Sequence, residues 1–148
     1  MATIHHHVLI DAPAAKVYAA LSTAEGIGTW WDKQTVMETD RGVVLEHNPG
    51  AKHGVVRLRV VELVPDKRVE WECISTHPKS SPAFAWSGTH FIFDIVERDN
   101  RDGSRGRATA LDFTQTGYDE GSEFFDSNKS AWGQVLQNLK RVVESGRG

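Results

Sequence analysis

Three consecutive histidines, residues 5–7, are the first side chains along the chain that could bind a metal or move a proton. Residues 4–10 alternate, which predicts a β-strand whose successive side chains point to opposite faces. Only His5 and His7 could then converge on one ion, and a closed metal site needs further ligands. We therefore predict no metal site. His6 points inward, as a satisfied core histidine or as a hydrogen-bonding group for a ligand.

Cys73, the single cysteine, and a group of carboxylates are the other candidates for chemistry. The sequence shows no histidine placed to activate this thiol, and apolar neighbours on its predicted face should raise its pKa. Asp119, Glu120, Glu123 and Asp126 precede a long helix, where they complement the positive end of its dipole. Because no paired acid and base emerges, the sequence favours binding over catalysis, and it implies no cofactor.

One long amphipathic helix closes the chain, and any site must be positioned against it. Within residues 124–148, apolar side chains recur at helical spacing at Trp132, Val135, Leu136, Leu139, Val142 and Val143. No earlier segment predicts a helix of comparable length. We therefore expect this stripe to lie across the concave face of a sheet.

Two short helices and six further strands precede the long helix. Asp11 and Pro13 mark the start of a helix over residues 14–21, where Asp11 can act as a cap, and Ser22 or Thr23 can cap a brief second helix that runs up to the Trp30-Trp31 pair. The strands are predicted over residues 36–39, 42–46, 54–64, 68–75, 89–97 and 107–114. Their short connections predict antiparallel neighbours. The fold class is therefore α+β, one curved antiparallel sheet wrapped around a C-terminal helix, in a single domain over residues 1–148.

Alternation along the strands separates a charged face from an apolar one. Glu70 and Glu72 should stand opposite Arg57 and Arg59 on a solvated outer face. One residue of the Trp30-Trp31 pair is expected to plug the gap beside the sheet, and the other to frame an entrance. The predicted ligand-binding residues, for which core packing is the alternative, are His6, Trp30, Trp71, Phe91, Phe93, Leu111, Phe113, Trp132 and Leu136.

Charge and composition exclude several classes of function. The chain carries 17 basic and 20 acidic residues, for a net charge of −3. It therefore lacks the basic field that draws in nucleic acid. No apolar run approaches the ~20 residues that cross a bilayer, so we predict no membrane insertion. A single cysteine and the absence of a signal-peptide pattern predict a cytoplasmic protein.

Five segments occur in the order typical of one superfamily. They are Ile10-Asp11-Ala12-Pro13 with Val17-Tyr18, Trp30-Trp31, Trp86-Ser87-Gly88-Thr89, Thr114-Gln115-Thr116-Gly117-Tyr118 and Ser130-Ala131-Trp132-Gly133-Gln134-Val135-Leu136. Over nearly its full length the chain resembles the SRPBCC, or START-like, superfamily, and most closely the branch named for homology to the activator of heat-shock protein 90 ATPase. The resemblance implies a helix-grip fold around an apolar cavity. Its motifs are structural, so they indicate fold more strongly than activity.

Three hypotheses of function stay open at this point. The first is a protein that encloses a hydrophobic or aromatic small molecule, bound by burial of apolar surface. The second, implied by the range of the superfamily, is a polyketide cyclase or aromatase in which His6 or Tyr118 moves a proton. The third is an interaction module that uses Phe84 and Trp86 to contact a chaperone. A homodimer, formed through a sheet edge or that same loop, is a further expectation. The eukaryotic co-chaperone has a separate N-terminal domain for which this chain has no room, which argues against stimulation of a chaperone ATPase.

Overall fold

A seven-stranded antiparallel sheet and three helices form the part of the chain that the computed structural model describes, residues 2–31, 33–40, 42–48, 55–77, 86–99, 107–118 and 125–145. The elements in chain order are β1 Ala2–Ile10, α1 Ala14–Ser22, α2 Ala24–Ile27, β2 Thr35–Thr39, β3 Gly42–His47, β4 Val56–Val64, β5 Arg68–Cys73, β6 His90–Asp99, β7 Arg107–Tyr118 and α3 Phe125–Glu144. This arrangement confirms the predicted α+β class with a curved sheet around the C-terminal helix.

The sheet order is β1-β7-β6-β5-β4-β3-β2, so every neighbour except the β1–β7 pair is consecutive in sequence. Strand β7 runs four residues beyond the predicted end at Thr114, because its partners β1 and β6 continue the pairing. Gly117 interrupts the sequence pattern there, yet its φ of 90° is one that glycine adopts without strain. The first and last strands of the chain thereby become neighbours.

The outer face carries the paired charges that the alternation predicted, with one change of partner. Arg59 Nη2 lies 2.8 Å from Glu72 Oε1, as expected from their positions. Arg57, in contrast, does not pair with Glu70 or Glu72, because the β3–β4 register places it opposite Glu46, at 2.9 Å. Such exposed pairs each contribute at most about 1 kcal/mol to stability.

The helices cover the inner face, and the contact at the start of α1 differs from the prediction whereas the one at the start of α2 agrees with it. Asp11 does not cap α1, whose first backbone amide, at Ala14, donates instead to Glu97 Oε1 at 3.0 Å. Thr23 caps α2 by accepting from the Gly26 amide, as one of the two predicted candidates. None of the helices in the described residues combines the length and apolar character needed to span a bilayer.

Helix α3 lies against the sheet through a narrower stripe than its sequence suggests. Its fully buried members are Asn128, Trp132, Leu136, Leu139 and Val143, whereas Val135 and Val142 are half-buried. A side chain of the helix also reaches the free edge of β1, where Lys140 Nζ donates to the Leu9 carbonyl at 2.8 Å. Strands β1 and β2 form the two edges of the sheet, and α3 makes this contact at the β1 edge.

Candidate functional site

Trp31 is the centre of an aromatic cluster at one end of the sheet. It follows α2, and its half-buried ring is surrounded by rings from four other parts of the chain. The distances from its ring centroid are 4.7 Å to His47, 5.2 Å to Trp132, 6.0 Å to Trp30, 6.1 Å to Trp86 and 6.2 Å to Trp71. These separations are typical of favourable aromatic pairs.

The two adjacent tryptophans have different roles. Trp30 is 5% exposed, and its Nε1 donates to the Ala20 carbonyl at 2.7 Å, so it plugs the space between α1 and the sheet. Trp31 instead lines a cleft. Trp30 thus fills the gap beside the sheet, as expected for one residue of the pair, and the entrance expected at the other residue stays a prediction. However, the predicted site contains Trp30 and omits Trp31, because spacing alone does not show which of two adjacent residues turns inward.

The cleft has a volume of about 110 Å³ and lies between Trp31, Trp86 and the first turns of α3. Trp86 is held at its mouth by a 3.3 Å hydrogen bond from its Nε1 to Asn128 Oδ1. The lining residues are Trp31, Trp86, Asn128, Ala131, Trp132 and Val135. At this volume the cleft is smaller than the apolar cavity of roughly 150 Å³ that is known to admit benzene.

Most of the predicted ligand-binding residues form a closed aromatic core behind this cleft. Trp132 and Phe113 stack at 4.6 Å, and Phe93 lies 5.0 Å from both Phe113 and Trp71. The structure brings the predicted residues together, but Trp132 is the member of the set that lines the cleft. Those buried in the core are Trp30, Trp71, Phe91, Phe93, Leu111, Phe113 and Leu136.

His6 joins the first strand to the closing helix. Its Nε2 lies 2.7 Å from the Lys129 carbonyl oxygen, and since a carbonyl only accepts, Nε2 must carry the proton. A Cβ atom at Gly133 would lie only 3.2 Å from His6 Cε1, so the glycine lets α3 approach the imidazole. The sequence left open whether His6 is a satisfied core histidine or a hydrogen-bonding group for a ligand. Its bond to the Lys129 carbonyl favours the first of these roles.

His5 and His7 lie together on the outer face, as predicted, and meet a carboxylate of β7. His7 Nδ1 is 2.8 Å and His5 Nε2 is 3.3 Å from Asp112 Oδ1. Hydrogen bonding to His7, more than the charge of either histidine, lowers the pKa of Asp112. No three described side chains are arranged to hold a metal ion.

We expect His7→Ala to raise the pKa of Asp112 more than His5→Ala does, because the bond from His7 is the shorter one. A carboxyl with a lowered folded pKa stabilises the fold above about pH 4, and that contribution is lost as the pH falls through the folded pKa. NMR titration of the Asp112 carboxyl carbon in the two variants measures the difference. Equal changes in both would contradict the role given to His7.

The remaining candidates for chemistry stand apart from the cleft lining. Burial raises the pKa of the Cys73 thiol, as predicted. His77 Nε2 lies 2.8 Å from Ser75 Oγ, so this histidine bonds the serine beside Cys73. Asp126 lies in the first turn of α3, where a carboxylate complements the helix dipole. The other three acidic residues of that group, Phe84 and the Tyr118 side chain lie outside the described residues.

A curved antiparallel sheet that holds a C-terminal helix over its inner face is the helix-grip architecture of START-like domains. Residues 11–144 match the family model described as "Activator of Hsp90 ATPase homolog 1-like protein", and the chain belongs to this family. The resemblance seen in the sequence motifs is thereby confirmed.

Solved structures of similar chains share this fold. The Aha1 dimer from Colwellia psychrerythraea is 26% identical, with full coverage of both chains and a TM-score of 0.78. A protein from Mesorhizobium loti is 19% identical over 97% of this chain and 98% of its own, with a TM-score of 0.74. A protein of the dynemicin biosynthetic locus is 15% identical over 97% of this chain and 48% of its own, with a TM-score of 0.70. No curated protein matches the chain.

Proposed function

We propose that this protein binds a small apolar or aromatic molecule, one ring of which enters the cleft between Trp31, Trp86 and Trp132. The observation that carries the proposal is the cleft itself, whose walls are three tryptophans and two aliphatic side chains. Ligand sites are typically concave and mostly apolar, with a few polar groups that orient the ligand. Here Asn128 is the polar side chain of the lining.

Binding would be driven by removal of apolar surface from water. Trp31 and Trp86 are half-buried, so a ring placed between them would cover surface that now contacts solvent. The rings behind them are already packed against one another and would gain little. The cleft, rather than the whole space between sheet and helix, is therefore the part of the molecule proposed to receive the ligand.

The enzymatic alternative receives less support from the same geometry. A cyclase would need a group that transfers a proton within reach of the bound ring. The lining contains no acid, base or nucleophile among its described members, and His6 is bonded to the backbone of α3. The relative from the dynemicin locus, at 15% identity, supports the shared fold alone.

Among possible protein partners, the observations favour a second copy of the chain, which would make the protein a homodimer. The Colwellia relative is described as a dimer. Strand β2 forms an edge of the sheet and its Val36 is 53% exposed, whereas at the β1 edge Lys140 of α3 already bonds a backbone carbonyl. We include in the proposal a homodimer paired along β2, which a monomeric mass in sedimentation equilibrium would contradict. A chaperone partner and a cytoplasmic location remain hypotheses.

The cleft is tested with toluene as a single-ring probe. We expect toluene to shift the amide resonances of the first turns of α3, and Trp31→Ala to weaken binding about fivefold by removing one aromatic wall. Val96→Ala, a change at an exposed apolar side chain of β6 that lies outside the cleft lining and the β2 edge, is the matched control and should bind as the original chain does. Equal affinity of the Trp31 variant and the control would contradict the proposed site. If Trp31→Ala does weaken toluene binding, mass spectrometry of molecules that co-purify with the protein is the experiment that identifies the natural ligand.

A further inference from the structure

Strand β2 has a partner strand on one side only in the part of the chain that the structure describes. Its residues, Thr35–Thr39, pair with β3 and form one edge of the sheet. Thr39 and Gly42 are cross-strand partners with two residues between them, so they form a hydrogen-bonded pair. Alternate residues of an antiparallel strand turn their backbone groups to opposite sides. The amides and carbonyls of Val36 and Glu38 therefore point away from β3.

The same alternation agrees with a hydrogen bond observed further along the sheet. Counted from Gly42, the backbone groups of Leu45 face β4, where its cross-strand partner is Leu58. The residue before Leu58, Arg57, must then turn its backbone groups to β5. Its carbonyl accepts from the Ile74 amide, beyond the end of β5, at 3.0 Å. The direction given to the backbone groups of β2 is thus consistent with the rest of the sheet.

The two edge strands differ in the features that keep another strand away. Natural sheets protect an edge with lysine, proline or a β-bulge. Strand β1 has a register shift near its start, and Lys140 bonds its Leu9 carbonyl. Strand β2 contains no lysine or proline, pairs with β3 without a register shift, and exposes the apolar side chains of Val36 and Met37. By these criteria β2 is the edge that is suited to receive a further strand.

We propose that β2 pairs antiparallel with β2 of a second copy, in the register that places the two-fold axis at Met37. The inference rests on the homodimer of the proposed function and specifies which residues meet. Val36 faces Glu38 of the partner subunit, and Glu38 faces the partner's Val36. Because Met37 is the midpoint of Thr35–Thr39, every residue of the strand is paired, and both residues that point away from β3 make backbone hydrogen bonds.

The neighbouring registers use this edge less well. With the axis at Val36, only residues 35–37 of the strand stay paired, and Glu38 lies opposite the partner's Gln34, which precedes the strand. With the axis at Glu38, two carboxylates stand directly opposite each other, which destabilises a sheet. An axis between two residues would match a backbone that faces the partner with one that already bonds β3.

The side chains on the outer face also suit the register centred on Met37. Met37 pairs with Val44, and Val44 pairs with Arg59, so Met37 lies on the face that carries the Arg59 ion pair. The axis places Met37 against the partner's Met37, which removes apolar surface of both from water. Thr35 faces the partner's Thr39, and threonine pairs are favourable between antiparallel strands.

Disulfide formation between cysteine variants of the whole chain measures the register. Directly opposed residues have Cα atoms about 4.5–5.5 Å apart, which a disulfide can span, whereas diagonal neighbours lie about 7–8 Å apart, which it cannot. Under mild oxidation we therefore expect Met37→Cys to give at least about tenfold more covalent dimer than Val36→Cys or Glu38→Cys alone. An equimolar mixture of Val36→Cys and Glu38→Cys should cross-link as efficiently as Met37→Cys, because these two positions face each other. Non-reducing electrophoresis measures the yields.

Two controls accompany the cross-linking. The original chain is the blank, because its single cysteine, Cys73, is buried. Val96→Cys places a thiol at an exposed apolar position of β6, away from β2, and measures cross-linking by random collision. The three substituted positions of β2 are exposed, so the variants should fold as the original chain does. Sedimentation equilibrium of each reduced variant measures the dimer from which oxidation starts.

The outcomes separate this inference from the proposals on which it builds. If Val36→Cys or Glu38→Cys alone cross-links more than Met37→Cys, the register is wrong while the homodimer along β2 stands. If the mass is dimeric and no β2 variant exceeds the Val96→Cys control, the dimer uses another surface, and pairing along β2 fails with the register. A monomeric mass contradicts the homodimer as a whole, whereas ring binding in the cleft, measured with toluene, is decided separately.

Discussion

Phe113→Ala should lower the free energy of unfolding by about 4 kcal/mol, the largest loss expected from any single core position discussed above. Phe113 is fully buried, and its ring contacts those of His6, Phe91, Phe93 and Trp132. The substitution removes the burial of a large apolar side chain. It also leaves a void between the sheet and α3, because neighbours in a packed core collapse only in part.

Urea unfolding followed by circular dichroism measures this loss as a lower midpoint at an unchanged slope. Val96→Ala provides the control, since Val96 lies on β6 with 49% exposure and its truncation should change stability by no more than about 0.5 kcal/mol. A loss for Phe113→Ala no larger than that of the control would mean that the core is not packed as described. The whole account of a closed core behind an open cleft would then be wrong.

Gly26→Ala is expected to be the other severe change, with a loss of about 3 kcal/mol. A Cβ atom at this position would lie 2.2 Å from the Ala19 carbonyl oxygen and 2.8 Å from Ala20 Cα. Both contacts are with the backbone of α1, so no side chain can rotate away to relieve them. Helix α2 would have to move off α1 and would carry the buried Ile27 with it.

Gly28→Ala is the matched control for this prediction. The nearest atom to a Cβ at Gly28 is 3.5 Å away, and its φ of −65° is one that alanine adopts freely. Alanine there should stabilise the fold by about 0.5 kcal/mol, because it restricts the unfolded chain more than glycine does. Thermal unfolding of the two variants should therefore give opposite shifts from the original chain. Equal shifts would show that the α1–α2 approach does not depend on Gly26.

The sequence was informative about elements and faces because these follow from local periodicity. Alternation placed Phe91, Phe93 and Phe113 on one buried face, and helical spacing placed Trp132 and Leu136 toward it. The pattern could not show how much of the space between those faces is filled. Filling depends on the shapes of side chains from distant segments. Most residues that the sequence predicts as the wall of a ligand cavity therefore pack against one another in the core, and only a small cleft lies beside them.

The details missed by sequence reasoning share this long-range origin. Helix α2 ends at Ile27, and the Trp30 indole N–H then donates to the Ala20 carbonyl of α1. With Trp30 held there, its neighbour Trp31 lines the cleft. Arg57 pairs with Glu46 because of the β3–β4 register, which no local pattern encodes. Gln115 Oε1 and Trp132 Nε1 are buried without a hydrogen-bond partner among the described residues, and this too is visible only in the folded chain.

Local spacing by itself therefore determined the α+β class, the antiparallel order of the hairpins and the closing helix, since each depends on residues near one another in the chain. Tertiary structure alone decided which residue of the Trp30-Trp31 pair is buried, that His6 bonds to α3 and that a small cleft remains beside Trp31. Those features arise where side chains far apart in sequence compete for the same volume. Which side chain occupies that volume is decided by close packing of the interior, and the periodicity of the sequence carries no information about it.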